Sequence, residues 1–308
     1  LRNFKMIAEP WDISRYSLGD FPHPWREWND RYRDSVRQFW LGDLARGYGE
    51  GVSDLASGIS GSSDVFYYRG PTSSINFVTA HDGFSLADLV MYSQKHNEPN
   101  QEENRDGSND NRTWNLGVEG PTDDPVINRH RHSLKKSIMA TLMLSAGVPM
   151  ITMGDEISRT QNGSNNTYSM PRDMRVDIPD SPETFMGGWA NKWDLNDDEL
   201  DMREAVAELA RIRKTYLADI AAEFFTGRVD LGTQRKDIAW FSLGGNEMTD
   251  EHWGDGDKRS LTVFIDAGPD RGLLLLLNSS LLTLNSSHLF SHHHFEKLFV
   301  NRILDPIV

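Results

Sequence analysis

Three runs of apolar and small residues end abruptly at a carboxylate. "KMIAEPWD" from Lys5 reaches Glu9, "INFVTAHD" from Ile75 reaches His81 and Asp82, and "PMITMGDE" from Pro149 reaches Asp155 and Glu156. Near-continuous apolar runs of this length fit strands buried on both faces, as in a parallel sheet covered by helices. A weaker unit, "EWNDRYRDSVRQFW" from Glu27, reads as a short strand followed by a helix. Between Asn128 and Ser145, Leu134, Ile138, Leu142 and Ser145 recur at helical spacing, and Gly147 with Pro149 ends the run. From Asp201 to Tyr216, Met202, Val206, Leu209, Ile212 and Tyr216 form the apolar face of a second helix. The acidic run "DLNDDELD" from Asp194 is expected to be its solvated start, where carboxylates favour the helix dipole. Strand and helix alternate, which argues for α/β layers.

After Ala218 the pattern changes. "DIAWFSL", "SLTVFID" and "GLLLLLN" are short β-type runs separated by turn-rich segments such as "WGDGDKR", and they predict a second, smaller β domain built as a sandwich. The expected division is residues 1–218 and 219–308. Two stretches rich in Asn, Asp, Gly and Pro, Ser93 to Pro125 and Ser169 to Asp201, are too long for ordinary connections and read as functional loops. A Ser-, Leu- and His-biased tail, with "HHH" at His292 to His294, receives no assignment.

Composition narrows the classes. Net charge is −14, from 46 acidic and 32 basic residues, which argues against a nucleic-acid partner and against docking on anionic membrane. Cysteine is absent, so disulfides and thiolate metal sites are excluded, and a cytoplasmic location is the expectation. The longest apolar run, from Gly272, is far shorter than the ~20 residues that span a bilayer.

In a (β/α)₈ barrel the active site lies at the C-terminal ends of the strands. All three motifs lie at C-terminal ends of predicted parallel strands, so they would converge on one face; Glu9 and Asp82 stand 73 residues apart and Asp155 a further 73 on, which suits one or two intervening strand-helix units plus an insertion in each gap. Converging carboxylates suggest acid–base chemistry, as in retaining glycoside hydrolysis, where one carboxyl protonates the leaving oxygen and another ~5–5.5 Å away attacks the sugar. Glu9 is expected to gain its raised pKa by desolvation beside Trp11. A metal-dependent hydrolase using His81, Asp82 and Asp155 is the weaker alternative, because of these strand ends only His81 offers an imidazole. His130 and His132, two apart on a helix, are expected at the surface. "DGSND" from Asp106 lacks the spacing of a calcium-binding hand, so no metal and no cofactor is assigned.

"IAEPWD", "NFVTAHDGFSLADLV", "HNEPNQEENRDGSNDNRTWNLGVEG", "LMLSAGVPMITMGDE" and "NGSNNTY", in this order, resemble the glycogen debranching enzymes and isoamylases of the α-amylase superfamily, over residues 4 to 280. The resemblance implies an α/β fold: the C-terminal half of a (β/α)₈ barrel, strands five to eight, followed by the small β sandwich. It implies Glu9 as general acid/base, Asp82 as the carboxylate that stabilises the transition state, and His81 as a hydrogen-bond donor to the sugar. Trp11, Asn97, Glu102, Asn104 and Arg105 would line the cleft, Asp155 and Glu156 would be structural, and the partner would be a branched α-glucan such as glycogen or a limit dextrin. The family's nucleophile, an aspartate in a Phe-Arg-x-Asp motif, has no counterpart here, and the run after Tyr168 departs from the family pattern. The expectation is therefore the C-terminal part of a longer hydrolase of α-1,6 branch points, inactive alone and able to self-associate through its open half-barrel. A non-catalytic glucan-binding or regulatory protein is the alternative.

Overall fold

A computed structural model describes residues 4–167, 194–280 and 298–300. The "HHH" run and most of the second long loop lie outside the described residues. Four short strands, β1 (Ile7–Ala8), β2 (Arg26–Asn29), β3 (Ser74–Asn76) and β4 (Val148–Pro149), form one parallel sheet in the order β1-β2-β3-β4. Each strand pairs with its successor in the sequence, and the three carboxylate motifs all follow C-terminal strand ends.

The ladder is shorter and more polar than the apolar runs suggested. Side chains alternate along a strand. The register Glu27↔Ser74, Asn29↔Asn76 therefore sets four polar residues on one face, all fully buried. Each finds a partner. Asn29 Nδ2 donates to Ser62 Oγ at 3.0 Å and Ser74 Oγ at 2.9 Å, Ser74 Oγ donates to Asn76 Oδ1 at 2.6 Å, and Asn76 Nδ2 donates to the Ala146 carbonyl at 2.7 Å. Glu27 takes the Arg69 guanidinium. Burying such groups without partners would cost several kcal/mol. The other face carries Trp28, Ile75 and Phe77.

Asn29 also caps α1 (Asp30–Arg37), accepting from Tyr32 N at 3.0 Å, so β2 passes into helix without a loop. The helix runs on through a π-helical turn, Gln38–Gly42, into α2 (Asp43–Arg46), which ends at the left-handed Gly47. Short helices α3 (Ser53–Ile59), α4 (Ser63–Phe66) and α5 (Leu86–Leu89) follow, then α6 (Pro125–Met143) and α7 (Asp197–Tyr216). The acidic start of α7 is a capping box between Asn196 and Glu199.

The helix expected from Asn128 is α6, but it is no surface helix. Every residue from Ser137 to Met143 is buried, and α7 packs along the helix. His130 is accordingly 2% exposed rather than at the surface, and His132 is half-buried, 2.5 Å from Asp201 Oδ2 across the helix pair. Arg213 of α7 reaches past the end of α6 and donates to three carbonyls: Met143 at 2.8 Å, Ser145 at 2.7 Å and Gly147 at 2.5 Å. It thereby satisfies the orphan carbonyls of the α6 terminus and fixes the chain's entry into β4.

The second sheet contains β5 (Ile238–Phe241), β6 (Ser260–Asp266), β7 (Gly272–Asn278) and β8 (Leu298–Val300), with α8 (Asp250–Gly254) between the first two. Pairing is antiparallel except between β7 and β8. The sandwich expectation is corrected: among the described residues this is one sheet. Leu261, Val263, Ile265, Leu273, Leu275 and Leu277 share a hydrophobic cluster with Trp40, Ile59 and Leu144 of the helical layer. The sheet buries its apolar face on those helices, which removes the need for a second sheet.

Replacing Arg213 with Met keeps much of the side-chain volume and strands three carbonyls. The expected loss is about 2–4 kcal/mol in urea unfolding. An unchanged midpoint would show that the carbonyls find other partners.

Candidate active site

The parallel register carries Ile7 opposite Arg26 and Ala8 opposite Glu27, which brings Glu9 level with Trp28 on the neighbouring strand. Beyond β3 the chain leaves the sheet through Phe77–Ala80 and presents His81 and Asp82. A side-chain nitrogen of His81 and one carboxylate oxygen each from Glu9 and Asp82 all lie within 4.8 Å of one another. All three residues are exposed. Glu9 is thus open to water in this chain, and Trp11 is half-buried.

Aromatic rings floor the cluster. Trp11 stacks on the fully buried Phe77 at 6.5 Å and 28°, Trp28 meets Phe77 at 5.5 Å, and Trp28 also meets the His81 ring at 5.7 Å. Arg33, from the first turns of α1, holds its guanidinium 5.6 Å from the Phe77 centroid. Burial lowers the Arg33 pKa, but hydrogen bonding and charge from Asp34, with the charges of Asp30 and Asp82, outweigh it and leave the group above its ordinary value. A rigid apolar floor with carboxylates and an imidazole above it suits a polyhydroxylated ring: carbon faces stack while hydroxyls meet polar atoms.

Asp155 and Asp88 hold the loop that presents His81 and Asp82. Asp155 is fully buried, accepts from Leu86 N at 2.9 Å through Oδ1, and takes Thr79 Oγ1 through Oδ2. One carboxylate thus closes the loop from both sides. Asp88, also buried, accepts from Ser85 Oγ, from Thr160 Oγ1 at 2.5 Å and from Gln161 N at 2.7 Å, and Gln161 Nε2 donates to the Gly83 carbonyl at 2.9 Å. Arg37 supports the underside, donating to the Val78 carbonyl at 2.7 Å. Asp155 cannot join a metal cluster with His81 and Asp82, since both its oxygens are engaged in the core. Among the described residues the group of three imidazole or carboxylate side chains spaced to hold one ion is Glu9, His81 and Asp82 instead.

The long loop after Ser93 is knitted together by amides. Asn97 is fully buried; its Nδ2 donates to the Asp106 carbonyl at 2.9 Å and Asn165 Oδ1 at 2.8 Å, while its Oδ1 accepts from Ser164 Oγ and Asn165 N, each at 3.1 Å. Asn104 binds the Asn97 N–H and the Lys95 carbonyl. Both amides therefore hold the loop's shape, while Glu102 and Arg105 stand exposed on it. Glu119 closes the loop base, accepting from Ser93 N, Gln94 N, Asn115 and His96. Burial pushes its pKa up, but these donors overcome that and hold it below the ordinary value.

Sequence reasoning missed Trp28, Arg33 and Gln161. The alternation in "REWN" carried a signal for Trp28, since Glu27 and Asn29 on the covered face require Trp28 on the site face. Gln161 and Arg33 act through spatial neighbours that no local pattern announces.

Burial raises the Asp155 carboxyl from 3.8 to about 6, against the lowering effect of the Thr79 and Leu86 hydrogen bonds. A folded pKa above the unfolded one means that this group's contribution is fully present below pH ~4 and is lost as pH rises through ~6. Up to about 3 kcal/mol of stability is expected to disappear across that window. Asp155→Asn keeps an acceptor for Leu86 N and should flatten the slope; equal slopes in urea unfolding at pH 5 and pH 7 for both proteins would refute this.

No protein-family model matches the chain. The glycogen operon protein GlgX homolog of Mycobacterium tuberculosis (strain ATCC 25618 / H37Rv) is 43% identical over 292 residues, covering 92% of this chain and 38% of that protein. The glycogen debranching enzyme of Dickeya chrysanthemi is 39% identical over 261 residues, covering 83% of this chain and 36% of its own length. Among solved structures, the pullulanase from Bacillus acidopullulyticus superimposes with a TM-score of 0.54 at 15% identity, over 89% of this chain and 28% of that one. The maltotriose complex of PulA from Klebsiella pneumoniae gives 0.52 at 17% identity, over 90% and 34%. These structural likenesses bear on the fold, and they bear out α/β architecture with a parallel sheet. Among the described residues no helix is long and apolar enough to cross a membrane. The chain is a homologue of the bacterial glycogen debranching enzymes, and it spans about 38% of the length of the curated relatives it matches.

Proposed function

We propose that this chain supplies the acid/base half of a site that hydrolyses α-1,6 branch points in glycogen or a related glucan with retention of configuration. The observation that carries the reading is the meeting of Glu9, His81 and Asp82 within 4.8 Å from strands far apart in sequence. Glu9 would protonate the leaving glucosyl oxygen and later deprotonate the attacking water. Asp82 would stabilise the positive charge that develops at the anomeric carbon while holding sugar hydroxyls. His81, braced by Trp28, would donate to a hydroxyl of the same sugar.

The nucleophile belongs to another part of the protein in this reading, since no Phe-Arg-x-Asp motif occurs in the 308 residues. Two features support a half-barrel that needs a complement. Among the described residues the sheet has four strands, and Phe4, Ile7 and Ile13 along its β1 edge are 69%, 49% and 109% exposed. Closing the sheet would cover these side chains and shelter Glu9 from bulk water. In isolation the chain would hold glucan without cutting it and would associate through the open edge. Trp11 and the 93–120 loop, with Glu102 and Arg105 outermost, would shape the cleft, and Asn97 and Asn104 would fix that loop.

The reading is tested by joining the chain to the N-terminal remainder of a glycogen debranching relative and measuring release of linear chains from glycogen. The expected result is debranching that falls by about 10²–10⁴-fold with Glu9→Gln, with affinity for maltotetraose kept. Full activity in that variant would remove Glu9 from the mechanism. Retention on glycogen with no release from the joined protein would favour the non-catalytic binding role.

A further inference from the structure

The seam between the helical layer and the second sheet holds a buried carboxylate whose coordination is incomplete within the protein. Asp43 begins α2 directly after the π-helical turn Gln38–Gly42, a backbone irregularity that recurs at functional sites. Its exposure is 0%. Its two donors, Gln38 Nε2 and Arg46 Nη2, both bind Oδ1, the second only at 3.4 Å. Oδ2 is buried and has no hydrogen-bond partner in the protein. Taking a carboxylate out of water costs several kcal/mol unless both oxygens are matched, and the one long contact from a partly exposed arginine leaves Oδ2 unmatched.

Oδ2 faces the close approach of Gly49 to the turn Asp255–Gly256–Asp257, just ahead of β6. A Cβ on Gly49 would stand 2.6 Å from the Gly256 carbonyl oxygen and 3.4 Å from Asp43 Oδ2. Gly49 N–H donates to Asp257 Oδ1 at 3.3 Å. Three oxygens of different origin therefore gather around Gly49: a buried carboxylate, a main-chain carbonyl and a second carboxylate. Only glycine fits at residue 49, because a Cβ there would clash with the Gly256 carbonyl oxygen. The donor set contains oxygen alone, which suits a hard cation of the calcium class and not a transition metal that prefers imidazole or thiolate. Asp255, Gly256 and Asp257 are exposed, so an ion has a path from solvent.

We propose that Asp43 Oδ2, the Gly256 carbonyl and the Asp257 carboxylate bind a calcium-class divalent cation that ties the second sheet to the helical layer. Water completes the coordination, as is usual for calcium sites with few protein ligands. The site uses neither Glu9 nor Asp82 and stands apart from the glucan reading.

Terbium(III), which substitutes for calcium and is sensitised by nearby tryptophan, is titrated into the full chain carrying Glu9→Gln and Asp82→Asn, which removes the exposed cluster as a second ion site; Trp253 lies three residues before Gly256. The expected result is saturable emission that calcium displaces, together with a Tm raised by calcium and lowered again by chelator. Asp43→Asn keeps an acceptor for Gln38 and Arg46 but should abolish both responses. Asp257→Asn, at an exposed position, should weaken binding about tenfold and serves if the core variant fails to fold. Asp123→Asn, at an exposed position ahead of α6, should change nothing. Absence of saturable emission, or emission that survives both Asp43→Asn and Asp257→Asn, overturns the proposal and leaves Asp43 Oδ2 to a buried water.

Discussion

One buried carboxylate organises the cleft. Asp155 sits at the end of the last parallel strand and bonds both ends of the segment that presents His81 and Asp82. Burial works against its charge, and two hydrogen bonds work for it; the outcome is a carboxyl whose pKa lies near 6. Such a group is a poor source of stability and a precise source of geometry, because only one loop conformation satisfies both oxygens at once. Asp88 and Gln161 repeat the device on the far side of the same loop. The exposed side chains can then be free of protein partners, ready for a ligand, while the backbone beneath them is fully committed.

The same trade runs through the sheet. A parallel sheet between layers is ordinarily apolar on both faces, yet Glu27, Asn29, Ser74 and Asn76 form a buried polar face here. Every bond in that ladder is specific in register, so a slip of one residue would expose Trp28 and Phe77 to the helices and bring the polar groups to the cleft. Asn29 joins the ladder and caps α1, and Arg213 closes α6 where β4 begins. Polar groups at strand ends and helix termini thus set where the chain turns, while the leucines of the second sheet supply area by packing on the helices.

How much of this was legible differs by residue. The helices around Leu134 and Leu209 follow from 3.6-residue periodicity, and the three carboxylate motifs from the end of each apolar run. The placement of the two histidines was not legible: His132 meets Asp201 of α7, a residue distant in sequence, and His130 lies buried although nothing in the local pattern marks it as core. The described residues of the second sheet, which form one sheet and not two, make a similar point. Alternation shows that a strand has an apolar face, but it does not say whether a sheet or a helix layer will cover that face. In the long loop, Asn97 and Glu102 look alike as polar loop residues, and only the fold shows one enclosed and the other outward.

The sequence by itself determined the order of the elements, the periodicity of their faces and the chemistry available at the strand ends, because these depend on residues close together along the chain. Homology to glycogen debranching enzymes was legible in short motifs for the same reason. The tertiary structure alone decided that Glu9, His81 and Asp82 share one space, that Asp155 holds a loop instead of a ligand, and that Asp43 lies buried against a turn more than two hundred residues away. Those facts are distances between residues remote in sequence, and packing and register set them.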